Sequence, residues 1–335
     1  MRGELSHGLA QLGVAGKQII DIGSSAPVTL RGIVRSGLEY SPPSGYGSLA
    51  NAGISAEEIA EIVGTWQANI VRVPFNQDWA LPREGYDPGP YLSALDFVID
   101  ACASEGAYTL LDLQWLDATT PRGHNSDGSN NFVAPLPNLL SIEVWRQLAA
   151  RYAGEPAVLY DIFNEPHDAL ADDPVQLLGM GPDGATFPLP SGRVGMAEWQ
   201  PWAMQLIAAI RDQNPQALIF VPGTNWAYDL RGFPLAGETG IIYSTHVYRS
   251  KGNNWDDAFG ALSTSYPVFA GEFGGGPDDV QWGTMLIDYF REHGIGWTAW
   301  SWADEPHLVE MPLAPDYRPT AFGQIVLNAL TAVGP

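Results

Sequence analysis

Leu159-Tyr160-Asp161-Ile162-Phe163-Asn164-Glu165-Pro166 is an apolar, strand-like run that stops abruptly in polar residues and a proline. Pro166 cannot donate to a strand ladder, so pairing ends there and a carboxyl group is left at the strand's carboxyl end. The design recurs in Pro267-Val268-Phe269-Ala270-Gly271-Glu272-Phe273, which runs into Gly274-Gly275-Gly276. Working outward from these two stretches, the short apolar runs number eight: 30–34, 69–73, 108–113, 158–163, 218–221, 241–246, 268–270 and 296–300. Between them, 55–66, 90–105, 141–152, 197–213, 279–293 and 320–332 carry apolar residues at three- and four-residue spacing, which predicts core-facing helices. Ser55 followed by Glu58 predicts a capping box, and Gly106 a helix stop. The fifth connection, 222–240, shows Gly and Pro instead of a helical pattern.

Strands alternating with helices predict right-handed crossovers and a parallel sheet, and eight such units predict closure into an α/β (β/α)8 TIM barrel. Residues 12–29, two short apolar runs around Lys17 and a Gly23-Ser24-Ser25 turn, predict an N-terminal β-hairpin capping one end. No linker, repeat or shift in composition divides the 335 residues, so 1–335 reads as one barrel domain. The long connections 114–140, 166–196 and 301–318 all follow carboxyl ends of strands and are rich in Trp, Tyr, Asp and Pro. That is the face on which barrels carry their sites, and extended loops there predict a cleft.

Composition narrows the partners. The chain is 45% hydrophobic and 16% charged, with no run of eighteen apolar residues, which excludes disorder, a coiled coil and a membrane-spanning helix. Sixteen Lys+Arg against 38 Asp+Glu leave a net charge of −22. Nucleic acid and anionic membranes would be repelled, whereas a neutral polymer would not. Cys102 is the only cysteine, so an intramolecular disulfide and a thiolate metal cluster are both excluded. No apolar leader is visible at the N-terminus, and a mature secreted form is the expectation.

The fourth and seventh strands of an eight-stranded ring lie on opposed sides, so Glu165 and Glu272 can face each other across the axis. A single Glu at a strand end is ordinarily a solvated loop residue. Two matched ends are the minimal equipment for glycoside hydrolysis, in which one carboxyl protonates the leaving oxygen while the other attacks the anomeric carbon or activates water. Arg72 in Val71-Arg72-Val73-Pro74, His246-Val247-Tyr248 and Trp300-Ser301-Trp302 complete an ordered set.

This set resembles glycoside hydrolase family 5, the cellulases, mannanases and related retaining (β/α)8 hydrolases of clan A, over nearly the whole chain. The resemblance implies Glu165 as acid/base and Glu272 as nucleophile, with Arg72 holding Glu272 ionised and Asn164 donating to the sugar 2-hydroxyl. It also implies that the Tyr248 hydroxyl touches the nucleophile, that His246 supports the acid/base, and that Trp300 is the stacking floor of the −1 subsite. Trp297 and Trp302 compete with Trp300 for that register, and the Trp300–Ser301 peptide is expected to be cis. One departure stands out: the family usually shows Asp-x-His after strand three, and this chain has Asp112-Leu113-Gln114-Trp115. Gln114 can exchange hydrogen bonds with a sugar hydroxyl but cannot take a charge.

Tyr40, Trp79, Trp115, Trp226, Trp255 and Trp302 are placed where stacking platforms would lie, Trp115 and Trp226 being preferred. Glu39 and Tyr40 should border the −2 or −3 subsite, and Asp304, Glu305 and His307 could read hydroxyls or simply be solvated. His124, Asp127 and Asn131 lack the spacing of a metal site, and no phosphate cradle or nucleophile elbow occurs, so no cofactor is expected. The expectation is a monomeric, secreted, endo-acting retaining β-1,4-glucanase, with Glu165 kept protonated by the charge on Glu272 and carboxyls about 5–5.5 Å apart, against about 6.5–9.5 Å for inversion. A β-mannanase or another family 5 specificity, such as xyloglucan, mixed-linkage glucan or exo-β-glucosidase action, is the alternative. A non-catalytic carbohydrate-binding barrel is the rival from another class. A Schiff-base aldolase would need a strand-end lysine, which neither Lys17 nor Lys251 supplies.

Overall fold

A two-stranded antiparallel hairpin, β1 (Leu12–Ala15) and β2 (Gln18–Asp21), precedes a ring of eight parallel strands in the computed structural model, which describes residues 8–116, 134–168, 178–180, 182–188, 193–311 and 316–332. The ring runs β3 (Arg31–Val34), β4 (Ile70–Asn76), β5 (Tyr108–Trp115), β6 (Val158–Asp161), β9 (Ile219–Pro222), β10 (Ile241–Val247), β11 (Val268–Phe273) and β12 (Gly296–Ala299), and β12 pairs back onto β3. Between β6 and β9 the chain forms a small antiparallel pair, β7 (Leu178–Met180) and β8 (Thr186–Pro188). Helices α1 (Ser48–Ala52), α2 (Ala56–Ala60), α3 (Gln77–Ala80), α4 (Gly89–Glu105), α5 (Leu139–Arg151), α6 (Met196–Arg211), α7 (Ala261–Ser263), α8 (Val280–His293) and α9 (Ala321–Thr331) follow the strands. Every residue of β4 and β10 is buried, as expected of parallel strands covered on both faces, and both strands start apolar, at Ile70-Val71 and Ile241-Ile242.

All eight predicted strands are present within a few residues. The predicted helix 55–66 is α2 continued by a π turn, Glu61–Thr65. Its capping box is only half formed. Ser55 accepts the Glu58 N–H at 3.2 Å, but the Glu58 carboxylate does not reach back; it binds Arg35 Nε at 2.7 Å. Both side chains are almost wholly buried, and a buried carboxylate needs a cation more than a helix end needs a second cap. Gly106 stops α4 at φ +91, a left-handed conformation that suits glycine. The connection 222–240 has no helix, whereas a π turn (Asp256–Gly260) and α7 form after β10, where none was predicted.

The hairpin closes the amino end of the barrel. Leu12 and Ile19 pack with Leu30, Ile70, Tyr108, Leu110, Leu159, Leu218, Phe220, Ile242 and Phe269, which sit at or near the starts of barrel strands. The Tyr108 hydroxyl donates to the Ala10 carbonyl at 2.8 Å and ties the cap down. With the amino end filled, the carboxyl end of the ring is where the loops can form a cleft.

Candidate active site

Arg72 organises the carboxyl end of the barrel from beneath. Its fully buried guanidinium donates from Nη1 to Glu272 Oε1 (2.7 Å), from Nε to Asp161 Oδ2 (2.9 Å) and from Nη2 to Asn164 Oδ1 (3.0 Å), and Nη2 lies 3.1 Å from Asp112 Oδ1. Burial opposes the guanidinium charge, but Asp112, Asp161 and Glu272 outweigh it, so Arg72 stays cationic. One planar fork on β4 thus positions residues on or just after three other strands, β5, β6 and β11.

Glu272 is held from its other side by Tyr248, whose hydroxyl donates to Oε2 at 2.9 Å. Burial, with the charges of Glu272 and Glu165, pushes the Tyr248 phenol well above its ordinary range, so it remains a donor. The β10–β11 register passes from Thr245↔Ala270 to His246↔Glu272, which leaves Gly271 as a bulge residue. A Cβ on Gly271 would lie 2.6 Å from Ser244 Oγ and 2.8 Å from His246 Nε2, so only glycine admits the imidazole here.

His246 Nδ1 lies 2.9 Å from Glu165 Oε1, while Nε2 has no hydrogen-bond partner among the described residues and packs toward Gly271. Burial lowers the His246 pKa to about 3 against the raising effect of Glu272, so the ring is neutral. A neutral imidazole whose Nε2 is closed off carries its proton on Nδ1 and donates it to Glu165. Glu165 retains 16% of its side-chain exposure and faces the cleft. Burial raises its pKa to about 7, against the opposing charges of Arg72 and Lys251. Desolvation, and not the charge on Glu272, therefore leads the shift, which corrects the cause expected from the sequence.

An oxygen of Glu165, an oxygen of Glu272 and a ring nitrogen of His246 all lie within 4.8 Å of one another. Such spacing could in principle hold a metal, but both Glu272 oxygens are already engaged by Arg72 and Tyr248, and the guanidinium 2.7 Å away opposes a second cation.

Trp300 is half-buried at the end of β12, its peptide to Ser301 is cis, and its Nε1 donates to the Glu305 carbonyl at 3.0 Å. Its rivals are core residues: Trp297 packs edge-on against Phe273, and Trp302 edge-on against Trp66. Trp79 and Trp255 are buried as well, so three of the six aromatics expected at the mouth (Trp79, Trp255 and Trp302) belong to the core. Trp115 and Tyr40 are half-buried neighbours with ring centroids 6.1 Å apart. Glu39 is 2% exposed; burial pushes its carboxyl up to about 8, and Oε2 accepts the Gly37 N–H. Its backbone carbonyl accepts from Asn76 Nδ2 at 3.0 Å, which ties it to the end of β4. Gln114 is a second bulge residue, between Phe75↔Leu113 and Asn76↔Trp115, and its buried Oε1 accepts no hydrogen bond among the described residues.

Trp226 is half-buried and stacks on His167 with centroids 3.7 Å apart and planes 11° from parallel. Asn225, Trp226 and Ala227 have φ of 55, 62 and 56, a strained run for non-glycine residues. Lys251 Nζ clamps it through the Asn225 carbonyl (3.0 Å) and Oδ1 (3.1 Å). Asp304 and His307 are partly exposed and Glu305 exposed, while His124, Asp127 and Asn131 lie outside the described residues. The sequence reading did not single out Asp161, His167 or Lys251 as site residues. A charged residue inside a buried strand, as Asp161 is, was the available signal.

The cellulase (glycosyl hydrolase family 5) profile matches residues 25–306. The chain belongs to glycosyl hydrolase family 5. Among curated relatives, Endoglucanase E-5 of Thermobifida fusca is 25% identical over 311 residues, covering 87% of this chain and 55% of that protein. Endoglucanase MaCel5A of Microbulbifer sp. (strain ALW1) is 26% identical over 301 residues, covering 84% and 49%. The family 5 chain described here thus spans about half the length of the curated relatives it matches. Among solved structures, a β-glucanase from Saccharophagus degradans in complex with cellotetraose superposes with a TM-score of 0.72 at 23% identity, covering 96% of this chain and 93% of that one. The catalytic domain of a Thermobifida fusca endoglucanase gives 0.71 at 23%, covering 98% and 100%. At these identities the likeness establishes the family 5 barrel as the fold. Among the described residues no helix is long and apolar enough to cross a membrane.

Proposed function

We propose that this family 5 barrel is a retaining, endo-acting β-1,4-glucanase in which Glu165 is the acid/base and Glu272 the nucleophile. The observation that carries the reading is the carboxyl separation. Oxygens within 4.8 Å of each other leave no room for the water that an inverting enzyme places between carboxyls about 6.5–9.5 Å apart.

The steps follow from the contacts. His246 Nδ1–H donates to Glu165 Oε1, which leaves Oε2 to carry the acid proton toward the glycosidic oxygen. As that proton moves to the leaving group, Glu272, oriented by Arg72 and Tyr248, attacks the anomeric carbon and the old C–O bond breaks. Glu165, now a carboxylate, removes a proton from water, and the resulting hydroxyl oxygen displaces Glu272 from the sugar. A group titrating at about 7 can serve in both directions near neutral pH. Asn164 reads the 2-hydroxyl, and Trp300 is the floor of the −1 ring. Tyr40, Trp115 and Trp226 stack neighbouring sugars.

A neutral glucan suits a chain of net charge −22 and a cleft lined by aromatic rings. The endoglucanase names of the relatives and the cellotetraose bound to a similar structure support β-1,4-glucan over mannan. In this reading the whole chain is one catalytic domain, working outside the cell as a monomer, because a polymeric substrate does not enter.

The test compares cellulose derivative, mannan, xyloglucan and mixed-linkage glucan side by side, with product anomers followed by NMR. We expect turnover on the cellulose derivative with retained configuration, loss of turnover in Glu272→Gln, and a fall of about 10²–10⁴-fold in kcat for Glu165→Gln. Mannan as the best substrate would overturn the specificity, inverted product the mechanism, and turnover unchanged by Glu272→Gln the assignment of the site.

A further inference from the structure

Below the two glutamates lies a second carboxyl pair that the proposed reaction does not use. Asp112 on β5 and Asp161 on β6 are register partners in adjacent parallel strands, whose backbones lie about 4.8 Å apart. Both side chains meet Arg72, both residues are 0% exposed, and Glu272 shares the same guanidinium. Fully ionised, this pocket would hold three carboxylates against one cation.

The hydrogen bonds do not balance either. Asp161 Oδ2 accepts from Arg72, but Asp161 Oδ1 accepts nothing among the described residues. Neither oxygen of Asp112 accepts a hydrogen bond among the described residues, although Oδ1 is 3.1 Å from Arg72 Nη2. An ionised carboxylate is an acceptor only, and a buried one without donors is costly. One proton resolves both deficits. Bound to one aspartate, it turns an acceptor without donors into a neutral acid and lowers the local charge by one.

We propose that Asp112 and Asp161 share a single proton at neutral pH and act as a positioning pair, leaving Arg72 committed to Glu272 instead of divided among three equal anions. The groups facing the pair are Arg72 from β4, Glu272 from β11, Glu39 after β3 and Asn164 beyond β6. Burial raises both carboxyls, Asp161 to about 6 and Asp112 well above its ordinary value, with Glu272 adding to both and Arg72 opposing. The two titrate as a coupled unit, in which Asp161, the acceptor of Arg72 Nε, keeps the charge while Asp112 carries the proton. Once Glu272 forms its ester it no longer carries charge, and the loss of a neighbouring anion weakens the pair's hold on the proton. The pair therefore adjusts the local charge as the nucleophile gains and loses its own.

The proton is observable without reference to catalysis, so failure of this inference is distinguishable from failure of the glycosidase reading. The intact protein, labelled with aspartate carrying ¹³C at its carboxyl carbon, is titrated by NMR, which separates aspartates from Glu39 and Glu165. We expect aspartate carboxyl signal that still reports one bound proton at pH 7, lost or displaced in Asp112→Asn. Because the amide mimics the neutral acid, Asp112→Asn should lower kcat at least about tenfold less than Asp161→Asn does. Asp161→Asn, which removes the charged acceptor of Arg72 Nε, should lower it much further while KM changes little. All aspartate carboxyls ionised in wild type at pH 7 would overturn the proposal whether or not either variant folds, and so would equal losses of kcat in the two variants.

Discussion

Glu165 and His246 show how far burial alone moves two ordinary side chains. The same desolvation that lifts the Glu165 carboxyl to about 7 drops the His246 imidazole to about 3, because it penalises whichever form carries charge. The pair therefore exists near neutral pH as a carboxyl group that can be protonated beside an imidazole that cannot. The consequence for pH has a definite sign. An acid catalyst must hold its proton, so kcat/KM should fall as pH rises through about 7, and no limb from His246 should appear between pH 5 and 8. Rates measured across that range, with an activated aryl glycoside as the second substrate, check the assignment. A leaving group that needs no proton should flatten the alkaline limb of the acid/base. An alkaline limb that persists unchanged on that substrate would point away from Glu165.

At the scale of elements, strand ends deliver the site and bulges aim it. β11 brings Glu272 to the mouth, but the extra residue Gly271 is what turns the ladder so that His246 stands opposite Glu272. β4 and β5 repeat the device at Gln114. Bulges re-aim side chains at the cost of ladder pairing, which explains their place beside a site instead of in the middle of a sheet. Gly271→Ala tests this, since the new methyl group would lie 2.6 Å from Ser244 Oγ and 2.8 Å from His246 Nε2. We expect an overpacking loss of about 1–3 kcal/mol in thermal unfolding. Displacement of His246 from Glu165 should add a fall in kcat larger than any change in KM. A variant of wild-type kcat would mean that His246 can retreat without consequence.

For the whole molecule, the two ends of the barrel divide the labour. The hairpin and the apolar cluster around Leu12 seal the amino end, while the charged network around Arg72 occupies the carboxyl end. Stability and chemistry should therefore separate. Leu12→Ala removes a fully buried side chain and should cost about 2–5 kcal/mol, read as a lowered melting temperature, with kcat unchanged at temperatures where the variant remains folded. A matching drop in kcat would show that the ends are coupled.

The eight strands were legible because parallel strands covered on both faces are mostly apolar along their length, and Glu165 and Glu272 were legible because each stands near the end of such a run, just ahead of a proline or a glycine run. Other features were not legible. The burial of Trp79, Trp255, Trp302 and Glu39, the π turns, the diversion of Glu58 to Arg35 and the pairing of Asp112 with Asp161 all depend on which residues of distant segments become neighbours. Local pattern carries periodicity and chain termination, so the order of residues determined the barrel and the two carboxyl groups at its mouth. Only closure of the ring decided which charges share one guanidinium and which aromatic faces the cleft, because burial and electrostatic coupling act through space between residues far apart in the chain.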